Sequence, residues 1–292
     1  MNANQFRIGT ILVALLLLCT TSFGQAPASQ PAQNPAQQPQ PGQQKPADSQ
    51  AAPLTLQGAP PPVSAEEDAA YKAFHDAPND DPAKKDQASV DFIQKYPQSR
   101  YAAEIYSWQV RYYFSKGQID KMEAAGDKEL ALAPNDAQTL AIMGSALPRA
   151  LNSSMSDTQK QQRVAKSQQY SQKALELIPT ITKPDNLTDE QFTKAKNMTS
   201  ALAYSGLGMS AFRLGKYADA IPHFEKAIQL DPQPDPVNYY VLGICNEKAS
   251  HFDDAVTDFT KCSDIPGGLQ ATCKAEIDKA KNMSTTQLSA PK

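Results

Sequence analysis

Three His and four Cys are the residues of this 292-residue chain best suited to metal ligation or nucleophilic chemistry. Their spacing assembles no site. His75, His223 and His251 stand alone, and His223 and His251 each precede a phenylalanine. A structural zinc site needs four ligands, usually with two at short spacing, and these residues do not supply them. The motifs HExxH, GxSxG, GxGxxG and GxxxxGK[ST] do not occur. The carboxylate pairs Asp80-Asp81 and Asp253-Asp254 fall at expected helix starts, where they complement the helix dipole. The sequence therefore predicts no catalytic residue, no cofactor site and no metal site, and a protein that is not an enzyme. One other chemistry stands open. Cys262 and Cys273 lie 11 residues apart. In an exported protein they form a disulfide, and otherwise they are two small packing thiols. Cys245 is expected as a buried free thiol. With Lys+Arg 28 against Asp+Glu 31, the net charge is −3. That balance argues against a general nucleic-acid binder, which would carry a basic surplus.

The elements that would position any site begin well into the chain. Residues 1–24 carry one charge, Arg7, and Ile11–Leu18 contains no polar residue. The apolar stretch is shorter than the roughly 20 residues a membrane-spanning helix needs, so the segment reads as a secretory signal peptide with Ser22-Phe23-Gly24 as its cleavage site. The alternative is an uncleaved membrane anchor. Cys19 offers a lipidation site, but Leu16-Leu17-Leu18 precede it where a small residue is wanted. Residues 25–62 hold 10 Gln, 10 Pro and 8 Ala, 28 of 38 residues. Such a segment cannot bury a core, and a disordered linker is expected. The foldable part is 63–292, which is 292 − 62 = 230 residues.

Self-similarity organises that part. Leu207, Gly208, Tyr217, Ala220, Phe224, Ala227 and Leu230 are followed, 35 residues later, by Leu242, Gly243, Phe252, Ala255, Phe259, Cys262 and Ile265. Each copy reads as two helices. The small and aromatic residues at i, i+4 and i+7 share one helical face. Gly208 and Ala220 are small because the paired helices approach closely there, and Tyr217 and Phe224 fill the space between them. Asp231-Pro232 stops the second helix, since proline disfavours α geometry in the residue before it.

This pattern resembles the tetratricopeptide repeat family, most clearly over 201–234 and then over 236–269. Weaker copies are expected at 64–99, 103–136 and 137–179, the last holding an insertion of 11 residues around Pro148–Lys160. The helix beginning after Thr188 is unusually long, and 270–283 reads as a lysine-bearing cap for the final apolar face. The resemblance implies an all-α solenoid of four to five helix pairs with a concave binding face. Mapped by the alignment, that face comprises Arg111, Phe114, Ser205, Met209, Phe212, Arg213, Tyr240, Ile244, Glu247 and Lys248. The family's chaperone-binding subset uses Lys and Asn to grip a carboxylate terminus. Here Ser, Ala, Met and Ile stand at several of these places, so that activity is not supported. Two readings of the row remain open: a groove for a peptide or protein segment with apolar content, or packing within the superhelix. The resulting expectation is a non-enzymatic interaction scaffold, exported and periplasmic or extracellular, with a protein partner. The alternative is an outer-membrane or cell-wall assembly component, membrane-associated through an uncleaved or Cys19-lipidated amino terminus.

Overall fold

The structure, a computed structural model, describes residues 63–78 and 80–289. The segments read as signal peptide and linker, with Cys19, lie outside the described residues. Among the described residues there are eleven α-helices and no strand. They are α1 (Ala65–His75), α2 (Pro82–Lys95), α3 (Ala102–Ser115), α4 (Ile119–Leu132), α5 (Ala137–Ala146), α6 (Asp157–Leu177), α7 (Asp189–Arg213), α8 (Tyr217–Leu230), α9 (Pro236–Lys248), α10 (Phe252–Asp264) and α11 (Gln270–Ser289). Helices α1 to α10 form five consecutive pairs, and α11 closes the array. The fold is an all-α solenoid with a terminal capping helix, and the cap runs to Ser289 rather than stopping at 283.

Local chemistry sets the boundaries. Ser64, Asp81, Asp136, Ser156, Thr188 and Asp235 each cap a helix by accepting a backbone N–H through the side chain. Ser156 with Gln159, and Thr188 with Gln191, form complete capping boxes. The tight turns inside pairs share one device. Gln118, Lys216 and His251 donate their backbone N–H to the carbonyls of Tyr113, Ala211 and Asn246 at 2.9, 2.9 and 2.8 Å. This bond closes a helix whose next-but-one residue is left-handed. That residue is Gly117 (φ 66°), Gly215 (φ 73°) and Ser250 (φ 64°).

The core is a chain of small clusters rather than one mass, as expected where each unit packs on its neighbours. Phe74, Phe92, Ile105 and Trp108 form the first cluster, and Val110, Tyr113, Met122, Ile142 and Met143 belong to the next. Leu140, Ala141, Ala174 and Ala203 follow. Met209, Phe224, Val241 and Leu242 belong to the fourth, and Ala255, Phe259 and Ala280 form the last. The paired helices approach as the spacing predicts. A Cβ on Gly208 would stand 3.0 Å from the Phe224 ring, and one on Gly243 would stand 2.7 Å from the Phe259 ring.

Candidate partner-binding face

Three first helices of the pairs, α3, α7 and α9, carry the predicted face. Its ten residues do not share one environment. Ser205, Met209 and Glu247 are buried, at 2%, 3% and 7% exposure. Met209 packs in the cluster of Phe224 and Val241. Phe114, Phe212, Tyr240 and Ile244 are half-buried against the cores, so each offers part of its surface. Arg213 and Lys248 are exposed. Arg111 is half-buried and donates to Ser107 Oγ at 2.8 Å and Gln138 Oε1 at 3.3 Å.

Two intramolecular partners account for the buried polar members. Arg149, at the root of the α5–α6 connection, donates to Ser205 Oγ at 2.6 Å and Asn238 Oδ1 at 2.9 Å, and forms an ion pair with Asp235. The Ser205 hydroxyl in turn donates to Asn238 Oδ1 at 2.7 Å. Burial pushes the Asp235 carboxyl upward, but the Arg149 charge, the hydrogen bond from it and the Val237 N–H together hold it below the usual carboxylate range. Glu247 accepts from Lys279 of α11 at 3.0 and 3.1 Å, so the cap helix neutralises a buried charge on α9.

Sequence reasoning missed Arg149. A signal was present: aligning Gly144 with Gly208 puts Arg149 in register with Arg213, and the 35-residue step puts Arg213 in register with Lys248. One basic residue thus recurs at the same register in three successive units, at the end of α7 and of α9 and just past the end of α5. Arg213 donates from Nε to the Pro148 carbonyl at 2.9 Å. Among the described residues, no carboxylate lies within ion-pair distance of Arg213 or Lys248. Partial desolvation of its guanidinium lowers the Arg213 pKa from its usual value, although the side chain still reaches solvent.

A cleft of about 260 Å³ opens between α8, α9 and α10, lined by Glu225, Tyr239, Asn246, Asp254, Asp258 and Lys261 among others. Asp258 accepts from Asn246 Nδ2 at 2.8 Å, and burial pushes its carboxyl up to about 6. The structure brings Cys262 of α10 and Cys273 of α11 together as a disulfide pair, with Cα atoms 5.9 Å apart. Cys245 is buried and unbonded, and burial pushes its thiol up to about 12. Among the described residues, no helix is long and apolar enough to cross a membrane.

Residues 201–234, which span α7 from its second half through α8, match the family model of the tetratricopeptide repeat. Residues 201–234 are thus a tetratricopeptide repeat. The chain is 33% identical over 86 residues to a TPR repeat-containing protein of Methanocaldococcus jannaschii. That match covers 29% of this chain and spans 15% of the relative's length. Solved structures similar to this chain include PilW, a widely conserved type IV pilus biogenesis factor. There the identity is 15%, the coverage 76% of this chain and 89% of that one, and the TM-score 0.49. The Pseudomonas aeruginosa pilF product is 14% identical, over 76% of this chain and 90% of that one, with a TM-score of 0.47.

Proposed function

We propose that this protein is a non-enzymatic scaffold that holds a segment of a partner protein against the first helices of its tetratricopeptide units. The observation that carries the reading is the combination at the ends of α7 and α9. Phe212, Tyr240 and Ile244 each offer a partly open apolar surface. Beside them stand the exposed Arg213 and Lys248, without carboxylate partners among the described residues. A segment with apolar side chains and at least one carboxylate complements that surface, because each exposed cation gains from a charge-assisted hydrogen bond. Such faces give protein partners register as well as affinity. Ser205, Met209 and Glu247 support the face from beneath.

The setting is the bacterial envelope. That part of the proposal rests on residues 1–24 as an export signal and on 25–62 as a linker. Export would also let the Cys262–Cys273 bond form and persist.

The test is a pull-down from envelope extracts with residues 63–292 as bait, run beside an Arg213→Glu/Ile244→Ala variant of unchanged helicity. A partner captured by the parent and lost by the variant supports the reading. A partner set unaffected by the variant removes the face from the function.

A further inference from the structure

We infer that Arg149 staples two non-neighbouring repeats together and so fixes the curvature of the inner face across α5, α7 and α9. In a solenoid each repeat touches the one before and the one after. Arg149 belongs to the pair α5–α6, while Asp235 and Asn238 belong to the pair α9–α10, with the whole of α7–α8 between them. One guanidinium nevertheless bonds Asp235 and Asn238, 86 and 89 residues further along the chain, and bonds Ser205 of the intervening repeat on the way.

The arrangement is built rather than incidental. Ser205 and Asn238 are 2% and 4% exposed, and they are bonded to each other as well as to Arg149. Asp235 is committed twice. Its Oδ1 accepts the Val237 N–H at 2.9 Å as the cap of α9, and its Oδ2 takes the guanidinium. The residue before the staple is pinned too, because Arg213 holds the Pro148 carbonyl. A rigid planar fork of donors suits this task better than a compact ammonium on a flexible stem, which cannot span the same three acceptors in fixed directions. A flexible array would let each repeat rock about its neighbour. Here rocking of α7–α8 against either side must break bonds that span both sides. The inference concerns the shape of the face and stands whether or not a peptide binds there.

Amide hydrogen exchange on the full chain decides it, with Arg149→Ala, Arg149→Lys and Asp235→Asn compared with the parent. Asparagine is as good a helix cap as aspartate, so Asp235→Asn keeps the start of α9 while removing the charge that holds Arg149. The signature is remote. Asp235→Asn is expected to accelerate exchange of amides 147–152, two repeats away, by about tenfold. Arg149→Ala and Arg149→Lys are expected to do the same at 236–242. Circular dichroism identifies variants that keep parental helicity. If Arg149→Ala fails to fold, the other two variants carry the test. Unchanged exchange at 147–152 in Asp235→Asn, or at 236–242 in a folded Arg149 variant, overturns the staple and leaves an ordinary surface ion pair.

Discussion

The repeats 201–234 and 236–269 are 35 residues out of phase along the chain and differ in one consistent way. The first seals its helix pair with apolar or small groups, and the second replaces several of them with polar groups or sulfur that need a partner. Phe212 corresponds to Glu247, which is buried and draws Lys279 from the cap. Ala211 corresponds to Asn246, which bonds Asp258 between α9 and α10, while Asp258 itself stands where the first repeat is already polar, at His223. Ala227 corresponds to Cys262, which meets Cys273 of α11. Gly215 corresponds to Ser250, which holds the left-handed turn at φ 64° despite its Cβ. An interior repeat needs only shape complementarity on both sides. The last full repeat has a single helix beyond it, and three of its departures from the pattern reach that helix or stiffen the pair behind it.

The sharpest break of this comparison is removal of 270–292. Phe259 and Ala255 pack on Ala280 of the cap. Truncation is expected to melt or aggregate the repeat 236–269 while 201–234 remains protected. Exchange measurements that find both repeats equally protected in the truncated protein would refute the dependence. Next come Phe224→Ala and Phe259→Ala, each expected to cost about 3–5 kcal/mol in denaturant unfolding, since both rings are fully buried. A loss below about 1 kcal/mol at either site would show that the ring is not the keystone of its pair.

Reduction should then separate the repeats. The bond between Cys262 and Cys273 closes a short loop, and the chain-entropy model assigns it about 3 kcal/mol. Added reductant should lower the unfolding midpoint and loosen α10–α11 without affecting α7–α8. Mass spectrometry that finds both cysteines alkylated in non-reduced exported protein would leave the cap resting on apolar contact and the Glu247–Lys279 pair.

Acid–base behaviour should have opposite signs in the two copies. Burial raises Asp258 from 3.8 to about 6, so the folded state binds the extra proton in that interval. Its contribution to stability falls as pH rises from 3.8 to about 6, and Asp258→Asn should raise stability at pH 7 by about 1–2 kcal/mol. The equivalent His223 is lowered from 6.5 by burial, so its contribution is present above pH 6.5 and is lost as pH falls through its folded pKa. Denaturation series from pH 4 to 8 on Asp258→Asn and His223→Gln would show slopes of opposite sign, and equal slopes would contradict the assignment. The smallest effect is Ser250→Gly. It should stabilise by about 0.5–1 kcal/mol because glycine enters the left-handed region without a steric cost. A loss of stability there would mean that the serine side chain contributes more than the turn costs.

The helix pairs were legible because their chemistry is local. Gly208 with Phe224, and Gly243 with Phe259, set the approach of helices only a turn apart in sequence. Thr188-Asp189-Glu190-Gln191 announced α7 through its capping box. The inner face was less legible because burial there depends on residues far along the chain. Nothing near Ser205 in sequence indicates that Arg149 will cover it, and Glu247 reads as exposed until Lys279 is in place. The extra residues between α5 and α6 hid the kinship of Arg149 with Arg213. The cap's length beyond 283 escaped notice because no apolar period continues through 284–289, although Pro291 stands as a stop signal just past its end.

The string of separate clusters also bears on how quickly the chain finds this structure. Most side-chain neighbours belong to the same hairpin or the next one, so contact order is low, and helical arrays of this kind fold in microseconds to milliseconds. The loop between Cys262 and Cys273 spans few residues and adds little search. The contact that must wait is the one across the longest stretch of chain, from Arg149 to Asp235 and Asn238. It forms only when three repeats already stand in order. Mutating Arg149 should therefore accelerate unfolding and leave the folding rate almost unchanged, a late-forming contact with a φ-value near zero.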